Sequence, residues 1–300
     1  MAPILPKADV GLVLSDNAIS EKIAKRLGHM YDEILKTVER TSILPQLVKG
    51  YQMTKEDGLQ MTIYDKTQVI AYRKPEGAET DEQKPEVEEI ITVRLEQWET
   101  RIGITDEAMI DSGEVNMSAS ERQNMGRSAL AFKNAIDSEG LSTIFGGKTP
   151  VGATATWNLI TDIQLSNDIS TAVNAIERRG FNADKIVLTN LQWNRLNDTN
   201  WVIQGRTASD YLQERWGLTP VRSQRIGYDD MAGAAVWLFN PTGSCVVLDS
   251  GHTALFCQKP MTVEMERIVS RGIFESYWRK YFRTAVVDTD AMFVYNGIGY

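Results

Sequence analysis

The chain has 300 residues, 42% hydrophobic and 24% charged, with 22 glycines and 9 prolines, which excludes a disordered, collagen-like or low-complexity protein. Its formal net charge is −8, from 32 basic and 40 acidic residues, and that argues against a general nucleic-acid binder, whose affinity rests on Lys and Arg neutralising phosphates. No apolar run approaches the roughly 18 residues of a membrane helix, and residues 1–10 lack the apolar stretch of a secretory signal, so a soluble chain with no membrane partner is expected.

Residues 1–16 read as an extended arm, because Pro3, Pro6 and Gly11 break any periodicity. Ile19, Ile23, Leu27, Met30, Ile34 and Val38 then recur at spacings of three and four, which is one face of a helix. Asp16 or Asn17 is placed to cap it, and it should end before Pro45. Around Leu59, Met61 and Ile63 the alternation with Gln60 and Thr62 is that of a strand. Strand-like runs follow at 69–72 and 90–95.

Between 76 and 99 stand nine acids (Glu76, Glu79, Asp81, Glu82, Glu86, Glu88, Glu89, Glu96, Glu99) against Lys84 and Arg94. A segment this polar cannot bury itself as a separate core. It reads either as a projecting β-hairpin or as a mobile acidic surface loop.

Ser118-Ala119-Ser120-Glu121 is a capping box, in which the serine serves an orphan first-turn amide and the glutamate reaches back to the cap. Met125, Ala129, Phe132 and Ile136 continue a helical stripe, and Gly140 offers a C-terminal stop. Helix 118–139 would be a spine about 33 Å long. Beyond Gly146-Gly147 the pattern is mixed α/β. Helices are expected at 167–179, around Trp193 and Leu196, and at 209–216 with Gly217 as the stop. Strands are expected at 186–188, 235–239, 245–248, 254–257, 261–268, 278–287 and 291–295, with Asn240-Pro241-Thr242-Gly243 as a turn.

Motifs for chemistry are sparse. Gly146-Gly147-Lys148-Thr149 has Ser142 where a phosphate loop needs glycine, follows a helix instead of a strand and runs into Pro150, so it reads as a helix-exit loop. Cys245, Cys257, His29 and His252 lack the spacing of a structural zinc site. The two cysteines read as free thiols of a reducing compartment. Cys245 opens an apolar strand and is expected to act as a small buried hydrophobe; a nucleophile beside His252 is the alternative, without an evident orienting group. No catalytic residue, cofactor or metal site is assigned, and a cytosolic enzyme using Cys245 or an acid pair remains the weaker reading.

The architecture points elsewhere. An arm and an acidic projection that leave their own core need something to pack on, commonly another copy of the same chain. From Lys259 to Arg283 there are six bases and three acids. The expectation is that Glu76, Glu79, Asp81 and Glu82 of one copy lie over Arg267, Arg271, Arg279 and Arg283 of its neighbour, a complementarity that sets register more than affinity.

Four stretches in this order resemble the major capsid proteins of tailed double-stranded DNA phages, whose HK-ninety-seven-like fold is shared with encapsulins. They are Val93-Arg94-Leu95-Glu96-Gln97-Trp98 through Ile110-Asp111-Ser112; the spine helix with Ile144-Phe145-Gly146-Gly147; Ala183-Asp184-Lys185-Ile186-Val187-Leu188-Thr189-Asn190 with Trp193 and Leu196; and Trp216-Gly217-Leu218-Thr219-Pro220-Val221 followed by Val247-Leu248-Asp249 and the closing strands.

The resemblance implies an α+β fold with an N-terminal arm at 1–47, an extended loop at 48–92, a peripheral domain from 93–145 and 258–300, and an axial domain at 146–257. It implies a shell of hexamers and pentamers around packaged double-stranded DNA held by weak contacts, assembled in the host cytoplasm and located in the virion. Separate scaffolding, portal and decoration proteins are the other expected partners. An encapsulin shell enclosing enzyme cargo is the alternative within the fold.

Overall fold

The computed structural model describes residues 29–38, 41–54, 56–66, 87–105, 119–154, 157, 162–197, 207–223, 228–229, 236–237, 244–268 and 272–296. The helices are α1 (29–38), α2 (Leu44–Leu47), α3 (Ala119–Gly146), α4 (Asp162–Glu177), α5 (Asn190–Asn197) and α6 (Ala208–Trp216). The strands are β1 (Lys49–Gln52), β2 (Gln60–Lys66), β3 (Val87–Arg94), β4 (Glu96–Thr105), β5 (Val151–Gly152), β6 (Lys185–Leu188), β7 (Thr219–Arg222), β8 (Tyr228–Asp229), β9 (Val236–Trp237), β10 (Cys245–Leu248), β11 (Ala254–Gln258), β12 (Thr262–Ile268), β13 (Ile273–Val286) and β14 (Met292–Asn296).

Two five-stranded sheets organise the body. The first runs β1-β11-β13-β12, with β4 also paired to β13. Along β13 burial alternates strictly: Phe274, Ser276, Trp278, Lys280, Phe282 and Thr284 turn inward, while the odd-numbered residues are half-exposed. The inward row shares a core with Met125, Ala129, Phe132 and Ile136 of α3, and with Met30, Ile34 and Val38 of α1. The expected apolar stripes of both helices therefore meet one sheet.

The second sheet runs β5-β14-β10-β6-β7 and is a wall between two cores. Val246 and Leu248 of β10 join the first core, whereas Cys245 and Val247 join a second one with Ile169, Val173 and Ile176 of α4 and Leu212 of α6. Period-two alternation with an apolar group on both sides explains why all four residues of β10 are buried. α6 ends as the sequence indicates: Gly217 takes φ +70, and its N–H caps Gln213 and Leu212 carbonyls.

One expectation is overturned. Gly140 does not stop the spine; α3 continues to Gly146, 28 residues in all, about 42 Å at 1.5 Å per residue. Gly140 is needed for close approach: a Cβ there would stand 2.3 Å from both Leu44 Cδ atoms. The exit follows instead at Gly147, whose N–H donates to the Ile144 carbonyl at 3.2 Å and where a Cβ would meet Val286 and Met292. The long strand also begins earlier than its apolar pattern suggests, at Ile273, because Glu275, Tyr277 and Arg279 occupy its outward row.

β2 and β3 form an antiparallel hairpin, Gln60 opposite Arg94 and Asp65 opposite Glu89. Its base is held by a small core of Met53, Val93, Leu95 and Cys257, with Met61, Ile63 and Ile91 packed on it, while Ile90 is exposed. The strand expected at 69–72, the turn at 240–243 and the caps Asp16 and Asn17 lie outside the described residues. No helix among the described residues is long and apolar enough to cross a membrane.

Candidate assembly surface

The outward row of β13 and its neighbours build a paired polar surface. Arg279 spans three strands: its Nε donates to Glu99 Oε2 on β4 and its Nη1 to Glu264 Oε2 on β12, both at 2.5 Å. Both glutamates hold the guanidinium in its charged form against a small burial cost, so its pKa is raised. The Tyr277 hydroxyl donates to Glu275 Oε2 at 3.0 Å, which holds the phenol above its ordinary pKa. Arg101 stands over the Tyr277 ring at 5.2 Å and 3.6 Å from Glu275. Arg283 bonds Glu96 through Nη1, and its Nε lies 3.6 Å from Glu139 Oε1. Each such partly exposed pair contributes about 0.2–1 kcal/mol, so the ladder fixes strand register more than it stabilises the fold.

Of the residues expected to meet across copies, Arg279 and Arg283 thus sit together on one face, each holding glutamates of its own chain. Arg267 lies in β12 opposite Phe274. Arg271, Glu76, Glu79, Asp81 and Glu82 lie outside the described residues.

Beneath this surface, α3 carries residues that sequence reading passed over. Asp137 is fully buried, and its Oδ1 accepts from the N–H groups of Ile43 and Leu44 at 2.8 and 3.2 Å. These are first-turn amides of α2, whose N-cap Ile43 has no side chain to satisfy them. A carboxylate 94 positions away does the capping, with Lys133 Nζ 3.2 Å from its other oxygen. One turn on, Gly140 leaves room for Leu44.

Glu139 ties the same helix to β13. It accepts from Thr284 N–H at 3.0 Å and from Thr284 Oγ1 at 2.7 Å, just past Phe282, the last β13 residue that β4 reaches. Burial raises its pKa, opposed by the Thr284 donors and Arg283. A sequence signal for both acids exists: Asp137 and Glu139 fall in the C-terminal half of a helix that has no base in its last turn, contrary to its dipole.

The cysteines, His252 and the glycine-rich segment have structural surroundings. Cys245 is buried and its thiol pushed far up by burial, and Cys257 is pushed up to about 11 by burial and by Glu139. His252 pairs through Nδ1 with Asp249 Oδ2 at 2.9 Å. Asp249 also accepts from the Asn182 and Gly251 amides; despite burial, these donors hold it below the usual carboxylate range. The group is a latch between the turn at 249–253 and residues 182–184, where Asp184 takes both the amide and the hydroxyl of Ser250. Lys148, in the glycine-rich segment, donates to the carbonyls of Thr289 and Met292, so it closes the helix exit onto β14. Among the described residues no cluster of His, Cys, Asp and Glu could hold a metal ion.

A family model described as phage capsid protein matches residues 88–295. Of the curated proteins compared, none matches. Solved structures do. A virus-like particle from Pyrococcus furiosus aligns with TM-score 0.63 at 8% identity, over 89% of this chain and 98% of the other. The capsid of Myoviridae phage XM1 aligns with TM-score 0.58 at 13% identity, over 85% and 91%. The capsid of a native GTA particle aligns with TM-score 0.57 at 14% identity, over 99% and 95%.

Proposed function

The chain belongs to the phage capsid protein family, and from that premise we propose that its copies assemble as hexamers and pentamers into an icosahedral shell around the double-stranded DNA of a tailed phage. It is a structural virion protein, not an enzyme. The carrying observation is the family match across 88–295, a span that holds the spine helix and almost all of both sheets. Many modest contacts summed over a closed lattice supply the stability of such a shell. Separate scaffolding, portal and decoration proteins are further partners in this reading.

The proposed division keeps an arm at 1–47, an extended loop at 48–92, a peripheral domain from 93–145 and 258–300 and an axial domain at 146–257. The sheet of β4, β12 and β13 with α3 supports the peripheral part, and the wall of β6, β7 and β10 supports the axial part; two strands cross this division, β11 pairing with β13 and β14 with β10. The acidic segment around Glu76, Glu79, Asp81 and Glu82 would lie on a neighbour's basic surface. Arg267, Arg271, Arg279 and Arg283 are its acceptors in this reading, and Arg279 and Arg283 also hold in-chain glutamates.

An encapsulin shell enclosing enzyme cargo is the second reading, favoured by the alignment with nearly the whole chain of a virus-like particle. Expression of the chain alone, followed by size-exclusion chromatography and negative-stain microscopy, separates the cases. Closed shells, or capsomers that close with a scaffold, support the capsid reading. Co-purifying cargo protein favours the encapsulin. A persistent monomer under every condition overturns both.

A further inference from the structure

β6 and β7 run parallel, with Leu188 opposite Arg222, and their carboxyl ends open into a cleft of about 380 Å³. The sheet side supplies Asn190, the first residue of α5, with Arg222 and Ser223; the spine supplies Leu130, Lys133 and Asn134. In parallel sheets ligands bind outside the carboxyl ends of the strands, where the turns into the next helix present polar groups on a rigid frame. Both cations of this cleft are held from behind. The Arg222 guanidinium lies over the Trp193 ring, 5.3 Å from its centroid, and an uncharged ring orients it without neutralising it. Lys133 Nζ stands 3.2 Å from Asp137 Oδ2, a carboxylate that also accepts two α2 amides through Oδ1. Among the described residues no carboxylate lines the cleft, in a chain whose net charge is −8.

We propose that this cleft binds a phosphoryl group, with Arg222 and Lys133 as its cations and the carboxamides of Asn134 and Asn190 as further donors. The planar fork of Arg222 fits two oxygens of such a group at once, and Lys133 adds a point charge with ammonium protons that Asp137 does not use. Donors that reach in from the sheet and from the spine suit a tetrahedral oxyanion, whose oxygens point both ways, better than a planar carboxylate. Cations already oriented by Trp193 and Asp137 lose little freedom when the ligand arrives. Two sources offer this chemistry: inorganic phosphate in solution, and the phosphodiester backbone of DNA. The second source rests on the capsid reading; the first does not.

The test is calorimetric titration of the full-length chain with inorganic phosphate, repeated on Arg222→Gln and Asn190→Asp. The second variant sets a carboxylate in the cleft, and an acid at the first position of a helix suits the helix dipole, so the fold is kept. Saturable binding of one phosphate per chain is expected, weakened about 10-fold or more in each variant. A chain that binds no phosphate, or binds it equally well in all three forms, overturns the proposal and leaves the capsid reading standing. Should Arg222→Gln fail to fold, Asn190→Asp decides alone. Titration with a short DNA duplex then separates the sources. A duplex that phosphate displaces, and that binds more weakly in both variants and at higher salt, is held here by its backbone. A duplex that leaves phosphate binding unchanged assigns the cleft to free phosphate. Failure of the unmodified chain to form shells or capsomers removes the capsid reading and the DNA source with it, while the phosphate titration still decides the site.

Discussion

Gly140 of the spine helix and Leu44 of α2 pack so closely that a Cβ on Gly140 would stand 2.3 Å from both terminal methyls of Leu44. The glycine sits inside a helix, where it costs about 1 kcal/mol relative to alanine, so the helix accepts a poorer residue to seat α2. Gly140→Ala should destabilise the chain by about 1–3 kcal/mol, since overpacking outweighs the gain in helix propensity. In the Leu44→Ala background the same substitution should be neutral or stabilising. Urea unfolding of the four chains of this double-mutant cycle measures the coupling, and additive effects would contradict the contact.

α2 is also held by charge. Asp137 satisfies two amides of α2 from within a dry core. Asp137→Ala should cost about 1–3 kcal/mol, because it strands those donors and removes the partner of Lys133. Asp137→Asn, which keeps an acceptor oxygen, should cost less. Equal losses for the two variants, read by denaturant unfolding, would show that the charge and not the cap matters.

Two carboxylates should give opposite pH signatures. The pKa of Glu139 is raised in the fold above its ordinary 4.5, so its contribution is complete below 4.5 and is lost as pH rises through the folded value. The stability advantage of the unmodified chain over Glu139→Gln should therefore shrink as pH climbs from 4.5. The pKa of Asp249 is lowered from 3.8, so its contribution is present above 3.8 and disappears as pH falls through the folded value. The advantage over Asp249→Asn should grow as pH rises toward and past 3.8. Urea midpoints recorded across the acid range give both differences; the same sign for both would contradict the assignment.

Arg279 ties β13 to Glu99 and Glu264 within one chain. Arg279→Glu should place three carboxylates together and lower the stability of the isolated chain by about 1–2 kcal/mol, with Arg279→Gln losing less. Assembly lost in Arg279→Glu thus reports on the strand ladder as well as on any neighbour. Arg279→Gln, which removes the ion pairs without adding a carboxylate, separates loss of the ladder from repulsion within it. Thermal unfolding of the dissociated chains distinguishes the two effects.

Elements whose side-chain pattern is set by their nearest neighbours were legible from the sequence. The stripe Met125, Ala129, Phe132 and Ile136 found its core, the apolar run at 245–248 its buried strand, and Gly217 its cap. The paired strands around Met61 and Val93 were legible too, because alternation survives on a half-exposed hairpin. The order of such elements was enough to point to the capsid family. What the sequence alone could not determine was the outcome of contacts between residues far apart in the chain.

A glycine near a helix end looks the same whether it terminates the helix or makes room for Leu44 from 96 positions away, and only the packing decided for Gly140. Asp137 and Glu139 were passed over in the sequence, and the fold buries them against amides of α2 and β13. The basic residues at 279 and 283 looked free for a neighbour because their partners, Glu99, Glu264 and Glu96, reach them only through strand register. Local periodicity thus set the elements of this protein by itself. Which polar groups are satisfied within the chain was decided by the tertiary structure, because hydrogen bonds and close approaches depend on where distant residues are brought together.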